Sequence, residues 1–303
     1  MAFELQGHRG ARGLRPENTL PSFEIALDLG VTSIETDLHL TRDDVPVLTH
    51  DPEIAATIDG CRVRHPIRAL TVAELRRFRV AANPDPARFP DQLAEVTPLA
   101  ERFARERGFD PFAVPTLDDL LGFVAAYAGA PGADAGKSPA QQLRARQVKL
   151  DLELKRVPLA PETIGDDFDG ATAGMLERQV AATLRAASAV ERCVVRSFDH
   201  RSVRAIGSLE PCLTTAVLMD GVAPVAPGAV AQAAGATLYC PALRFVDAQL
   251  VAQAHAAGVR VLPWTANEPA EWQRLCACGV DGITTDYPDR LAAWLAQRGI
   301  AIT

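Results

Sequence analysis

The sequence predicts an α/β fold, a (β/α)8 barrel of the TIM class with an insertion after its second strand. Two observations carry that expectation. Short apolar or β-branched runs alternate with stretches of helical period along most of the 303 residues, a length that suits a barrel of about 250 residues plus an insertion. The residue types capable of chemistry also fall where those runs end, and such barrels keep their functional loops at the C-terminal ends of the strands. A doubly wound open sheet is the alternative that alternation alone leaves open.

Residues 3–7 form the first strand, which leads into His8 and a loop rich in Gly and Arg, RGARGLRPEN. A helix follows over about 20–29. Asn18 or Thr19 serves as its cap, Pro21 suits its first turn, and Gly30 ends it. The second strand, over 33–38, carries Glu35 and Asp37; TRDD then turns the chain, and VPVLTH returns it to His50 beside those acids. From about 52 to 115 the periodicity weakens. Helical stretches are expected near 71–79 and 95–107, broken by NPDP at 83–86 and FPD at 89–91, and the whole segment reads as an inserted cap over the site. The run over 116–128 is an amphipathic helix capped by Thr116, and GAPGADAGKSPAQ after it is expected as an exposed, unstructured loop. Strands then fall at 147–154, 193–197, 213–218, 237–240, 259–264 and 281–285. Helices fall at 172–188, 199–207, 228–234, 246–257 and 268–278. The chain contains no 20–50-residue repeat, so residues 1–303 are expected to be one domain.

Composition removes several classes of function. The chain is 48% hydrophobic and 23% charged, ordinary for a globular protein, and its formal charge of −7 argues against a nucleic-acid surface. No window holds the ~18 apolar residues of a membrane helix, so no stable membrane insertion is expected. The first residues lack a basic head followed by an apolar core, which points to the cytoplasm; a periplasmic or secreted protein whose leader has been removed is the alternative. The six cysteines, at 61, 193, 212, 240, 276 and 278, have no framework spacing and read as free thiols. The oligomeric state is not legible.

The chemistry concentrates in the first fifty residues. In a strand, residues two apart project to one face, so Glu35 and Asp37 point together, and two like charges at that range are costly without a cation between them. Glu153 is a third carboxylate, late in another strand. Oxygen-only ligands favour Mg²⁺ or Ca²⁺ over zinc. Taken singly, each acid is more readily a surface residue, and Lys155, two from Glu153, a snorkelling cation. Glu17 is placed in a supporting position at most, and Asp151, deeper in its strand, is read as structural. His8, Asp37, Glu153 with Lys155, Ser197, Trp264 and Thr285 with Asp286 all fall at strand ends.

The motifs HRG at 8–10, PENT at 16–19, ETD at 35–37 and HD at 50–51 resemble the signature of the glycerophosphodiester phosphodiesterase family. LELK at 152–155, SFD at 197–199, PWTAN at 263–267 and GVDGITTDYP at 279–288 follow in that family's order. The resemblance spans the chain except for about 52–115. It implies a barrel that hydrolyses glycerophosphodiesters to an alcohol and glycerol 3-phosphate. It also implies His8 and His50 as general acid and base, and Glu35, Asp37 and Glu153 as ligands of a divalent cation. Histidine suits such proton steps because its pKa lies near neutrality. Arg9 and Lys155 are expected on the phosphate, and Phe198 and Trp264 along the substrate pocket, although a core position suits either aromatic nearly as well. His39 is left outside the site, and His65, His200 and His255 are read as structural. The run HDPEIAATIDG departs from the family's frequent Arg-Thr pair after HD, and the insertion is similar to that of the family's periplasmic branch. Two other functions remain open at this point: a barrel phosphodiesterase of the lysophospholipase D type, and a non-catalytic phosphate- or metal-binding barrel.

Overall fold

The computed structural model describes residues 3–58, 61–80 and 86–302. Eight parallel strands make the barrel: β1 (Glu4–Gly7), β2 (Ser33–Leu40), β6 (Lys149–Leu154), β7 (Cys193–Ser197), β8 (Thr214–Met219), β9 (Leu238–Pro241), β10 (Arg260–Val261) and β11 (Gly282–Thr285). From β1 round to β10 each pairs in parallel with the next, and β11 pairs in parallel with β1. The ring closes between β10 and β11 through backbone bonds from Asp281 N to Val261 O and from Thr284 N to Pro263 O, both 3.0 Å. The open sheet is thereby excluded.

Between β2 and β6 come β3 (Pro46–Leu48), the hairpin β4 (Glu53–Ile58) and β5 (Cys61–Pro66), and the helices α2 (Val72–Leu75), α3 (Pro98–Arg107), α4 (Leu117–Ala128), α5 (Ala130–Asp134) and α6 (Pro139–Gln147). Outer helices α7 (Met175–Ala186), α8 (His200–Leu209), α9 (Pro227–Ala233), α10 (Ala248–Ala256), α11 (Pro269–Cys278) and α12 (Pro288–Ala296) follow β6 to β11 in turn. The first outer helix, α1 (Leu20–Leu29), lies between β1 and β2. None of the described helices is long and apolar enough to cross a membrane.

The local signals explain most boundaries. Thr19, not Asn18, caps α1 by accepting from Ser22 N, and Gly30 ends it at φ 72°, a left-handed conformation that glycine adopts without strain. Thr116 and Asp119 form a reciprocal capping box on α4. The stretch over 129–141 is not the loop expected: α5 and α6 occupy most of it. Ser138 and Gln141 form a second capping box and Pro139 begins α6, while Lys137 Nζ is buried 2.6 Å from Glu24 and 2.8 Å from Asp28 of α1. Small polar composition hid a helix start that one buried lysine anchors.

Two further expectations change in the insertion. Residues 53–58 and 61–66 pair as antiparallel strands that the weak periodicity did not reveal, and the helix expected over 71–79 is only α2. Most of the NPDP break at 83–86, and the Cys61 side chain, lie outside the described residues.

The barrel interior divides in two. On one side Val194, Ala216, Leu218, Leu238, Cys240 and Leu262 form an apolar cluster beneath Trp264. On the other, Gln6 donates to Asp151 at 2.8 Å and to Ser33 at 3.0 Å, and Thr284 and Arg196 donate to Gln6 Oε1 at 2.6 and 2.7 Å. Arg196 also forms a buried ion pair with Asp151, the structural role read for that acid. Every member of this network has a partner, which is what lets charged groups sit so deep. It forms a rigid polar floor under the functional face.

Candidate active site

The floor supports three carboxylates. Glu35 and Asp37 project from β2 and Glu153 from β6, where Asp37 and Glu153 are register partners. One oxygen from each lies within 4.8 Å of the others, and all three residues are buried. Glu35 sits one step deeper than a strand end, level with Asp151, because β2 continues past the barrel rim to pair with β3.

Electrostatics in the cluster are unbalanced. Burial raises the Glu35 carboxyl, repulsion from Asp37 and Glu153 raises it further, and Arg196 and Arg9 only partly oppose them. Burial also raises Glu153, although Lys155 pulls it down. For Asp37 burial again acts upward, but Arg9 and Lys155 outweigh it and hold this carboxyl well below its usual value. Its Oδ1 nevertheless has no hydrogen-bond partner and no solvent, and Lys155 Nζ is 3.5 Å away. A buried acceptor without a donor is uncommon and asks for an explanation. Three clustered carboxylates and an orphaned oxygen among them fit a hard divalent cation.

Asp37 is held from outside the cluster by a residue read only as a candidate helix cap. Asn18, at φ 55°, donates to Asp37 Oδ2 at 2.9 Å and accepts from Thr36 Oγ1 at 2.8 Å. The PENT motif contained this asparagine, but nothing in its spacing showed that its side chain would turn inward.

Both predicted histidines reach the same place. His8 follows β1, where its amide donates to Thr285 O. Its Nδ1 is 2.6 Å from Asp286 Oδ1 and its Nε2 is 3.8 Å from Glu35 Oε2. Asp286 is fixed in turn by Asn267, whose Nδ2 donates to Asp286 Oδ2 at 2.7 Å and whose Oδ1 accepts from Asp286 N. Burial raises the Asp286 carboxyl, but the His8 charge and hydrogen bond, Arg12 and Asn267 prevail and hold it at about 2. Burial lowers His8 despite the opposing pull of Asp286. The aspartate and asparagine that orient this imidazole lie some 260–280 residues away in sequence; Asp286 was noted only for its place at a strand end and Asn267 only as part of the PWTAN motif, and neither was given a role.

His50 arrives by the return strand. Thr49 N donates to Asp37 O at 3.1 Å, tying the end of β3 to β2. His50 Nδ1 is 2.8 Å from Asp51 Oδ1, and the backbone oxygen of His50 is 3.2 Å from Nε2 of His39, which is buried beneath it. His39 therefore supports the loop that carries His50 and does not itself line the cleft. His65, His200 and His255 are also absent from the cleft walls.

The cations are more engaged than a free phosphate clamp would be. Arg9, at φ 51°, lies with Nε 3.1 Å from Asp37 and Nη1 2.8 Å from Glu17, while its amide donates to Glu35 Oε2. Burial would lower its guanidinium, but Asp37, Glu17 and Glu35 hold it above its ordinary value. Glu17 bridges Arg9 and Arg12, in agreement with a supporting place for it. Lys155 Nζ is 2.7 Å from Glu153. Burial acts to lower its ammonium, whereas Glu153 and Asp37 raise it.

His8, His50, Glu35, Glu153, Arg9, Glu17 and Lys155 line one cleft of about 590 Å³, with Asp37 buried behind them. Phe198 and Trp264, in edge-to-face contact at 5.6 Å, and Leu218 form an apolar wall. Val80, Arg88, Phe89 and Gln92 from the insertion and Arg12 from the β1 loop also line the cleft. Sequence reasoning missed these, because only the folded insertion brings them to the strand ends.

Comparison with known proteins gives a consistent result. Residues 8–290 match the family model described as the Glycerophosphoryl diester phosphodiesterase family. A Mycobacterium tuberculosis protein named probable glycerophosphodiester phosphodiesterase 1 is 30% identical over 95% of this chain and 90% of its own. A solved structure from Silicibacter pomeroyi DSS-3, with a provisional glycerophosphoryl diester phosphodiesterase name, is 31% identical. It superimposes with a TM-score of 0.79 over 100% of this chain and 96% of its own. A phosphodiesterase from Oleispira antarctica, solved in complex with the product sn-glycerol-3-phosphate, shares the fold at 20% identity, with a TM-score of 0.69 over 97% of each chain.

Proposed function

The chain belongs to the glycerophosphoryl diester phosphodiesterase family, a family of phosphoric diester hydrolases, and we propose that it hydrolyses glycerophosphodiesters to an alcohol and glycerol 3-phosphate by a metal-dependent reaction in which His8 and His50 move the protons. The observation that carries this reading is that both imidazoles, Lys155 and two members of the three-carboxylate cluster, Glu35 and Glu153, line one cleft, with Asp37 clustered beside those two acids.

Phosphodiester hydrolysis requires a nucleophile in line with the leaving oxygen, charge neutralisation on the non-bridging oxygens and a proton for the leaving alkoxide. A Mg²⁺ or Ca²⁺ ion held by Glu35, Asp37 and Glu153 would supply positive charge at the phosphate. Lys155 Nζ, 2.7 Å from Glu153 and 3.5 Å from Asp37, would add an ammonium donor for a phosphate oxygen. Arg9 holds Asp37 and Glu35 in their orientation and presents its guanidinium to the cleft wall.

With Nδ1 committed to Asp286, His8 exchanges its proton at Nε2, the nitrogen on the Glu35 side. The second imidazole, His50, is oriented the same way by Asp51. One of the two takes the proton of the attacking hydroxyl and the other gives one to the departing alcohol. The nucleophile is either water or the substrate's neighbouring glycerol hydroxyl, and product analysis in ¹⁸O water with a search for a cyclic phosphate separates them. Phe198 and Trp264 line the pocket for carbon atoms of the substrate. Residues 1–303 act as one barrel domain, and the part of the 52–115 segment that lines the cleft caps it.

The test is glycerol 3-phosphate release from a panel of glycerophosphodiesters, with EDTA and then Mg²⁺ or Ca²⁺ restored, for the wild type and His8→Ala. Activity that returns with the ion and is lost in the variant supports the reading. A wild type inert on the whole panel overturns it, and cleavage confined to lysophospholipids would replace it with a lysophospholipase D assignment.

A further inference from the structure

The loop between β1 and α1 reaches the carboxylate cluster at two residues, and both hold a backbone conformation that side chains rarely adopt. Among the described residues, the non-glycine residues with a positive φ are Arg9, Asn18, Asp44 and Ser188. The first two, at 51° and 55°, are the ones that touch the cluster. Asparagine tolerates this left-handed region better than most residues, and such conformations persist where surrounding structure holds them, often at functional sites. Here the two residues brace each other. Asn18 N donates to Arg9 O at 3.1 Å, and Ser22 Oγ donates to the same oxygen at 2.9 Å. Thr19 caps α1, so Asn18 stands just outside the helix, where its backbone can turn its side chain back to β2.

The oxygens that this side chain engages define what it does. Asn18 is 2% exposed. A carboxylate only accepts, so the amide nitrogen faces Asp37 and donates to Oδ2 at 2.9 Å, while the amide oxygen takes the Thr36 hydroxyl at 2.8 Å. Arg9 Nε lies 3.1 Å from that same Oδ2. One oxygen of Asp37 is therefore engaged twice, whereas Oδ1 accepts no hydrogen bond and is shut off from solvent. The Arg9 amide holds Glu35 in the same manner, through Oε2 at 3.1 Å. Like charges this close repel, and a carboxylate free to rotate would swing away from its neighbours.

We propose that Asn18 is a positioning residue of the divalent-ion site: it grips Asp37 by Oδ2, so that Oδ1 alone is presented between Glu35 and Glu153 as the ligand atom. The inference rests on the metal-dependent reading and adds to that site a residue that neither ligates nor meets substrate. Asn18 is absent from the cleft walls, so it acts through Asp37. Ligands already held in orientation need no rearrangement when the ion arrives, and loss of such an outer hydrogen bond typically weakens ion affinity by about 10–100-fold.

Asn18→Gly isolates the amide, because glycine keeps the left-handed backbone without strain. Calorimetric titration of metal-free protein with Mg²⁺ and with Ca²⁺ reads ion binding without reference to activity, and the melting temperature in EDTA reads the fold. For the ion that the wild type binds, the variant should show a Kd weaker by about tenfold or more. Thr36→Val loosens the amide from its other end without touching a carboxylate, and should weaken binding in the same direction by less. Glycerol 3-phosphate release by Asn18→Gly should fall at low ion and recover most of its rate once the ion saturates. A Kd for Asn18→Gly within about twofold of the wild type overturns the proposal, whatever its melting temperature, since the amide would then only brace the fold. If that variant does not fold, an unchanged Kd in Thr36→Val overturns it instead. A wild type that binds neither ion sinks the metal-dependent reading and this inference with it, whereas ion binding that is equal in wild type and variant sinks this inference alone.

Discussion

Replacing Asp286 with asparagine tests the site without changing its shape. In the native arrangement Asp286 accepts from His8 Nδ1 through Oδ1 and from Asn267 Nδ2 through Oδ2. An asparagine at 286 has one acceptor and one donor where the aspartate has two acceptors. Asn267 decides which is which: its amide nitrogen must donate, so the new carbonyl turns to Asn267 and the new NH₂ turns to His8. That NH₂ requires an unprotonated Nδ1, which moves the imidazole proton to Nε2, the nitrogen proposed above to exchange protons in the cleft. The alternative flip sets two NH₂ groups against each other. The loss has two sources: a charge-assisted hydrogen bond of about 1.5–3 kcal/mol in a buried setting, and a histidine in the wrong tautomer. Together they predict a kcat lower by on the order of 10²–10⁴-fold, whichever proton step His8 performs. KM should move by less than about threefold, because neither residue holds the alcohol. The assay is glycerol 3-phosphate release under saturating divalent ion, for Asp286→Asn, His8→Ala and the double variant. The double variant should be no slower than His8→Ala, since Asp286 acts only through that ring. A kcat within threefold of the wild type, or losses that multiply in the double variant, would refute the reasoning.

Other outcomes follow from the same geometry. Because three buried carboxylates repel one another, millimolar Mg²⁺ or Ca²⁺ should raise the melting temperature of the wild type, with a smaller rise for Asp37→Asn; equal shifts in scanning fluorimetry would place the ion elsewhere. A p-nitrophenyl leaving group needs no proton, so on glycerophospho-p-nitrophenol only one of His8→Ala and His50→Ala should recover much of its rate. That variant identifies the general acid, and equal behaviour of the two would contradict a division of labour. Lys137→Ala leaves Glu24 buried and short of its cationic partner, although Thr97 and the amides of Leu99 and Ala100 still donate to it. A loss of about 3 kcal/mol in urea unfolding is expected, and a loss below ~1 kcal/mol would mean that the pair contributes little.

Much of this protein is legible from its sequence, for local reasons. Strand and helix periods, the Thr19 and Thr116 caps and the stop at Gly30 depend on near neighbours, so the alternation and most boundaries of the barrel were available at once. The pairing of Glu35 with Asp37 follows from the two-residue period of one strand, and the short turn after it returns His50 to the same edge. Where the sequence misled, a contact distant in the chain had decided the matter. Residues 129–141 look like an unstructured loop until Lys137 reaches Glu24 and Asp28, and Asn18 looks like a cap until its amide meets Asp37.

The amino-acid sequence by itself determined the fold class and the chemically active residue types, because both are written in periods and short motifs that a strand or helix reads locally. Only the tertiary structure decided which groups face one another. Barrel closure carries Asp286 and Asn267 to His8 across more than 250 residues and stacks Gln6, Asp151 and Arg196 into the floor. Packing of the insertion on the β1 loop sets Arg88 and Phe89 beside Arg12. Hydrogen bonds and ion pairs act over a few ångströms of space and are indifferent to chain separation. Their partners are therefore fixed when the ring of strands closes, and no reading along the chain could supply them.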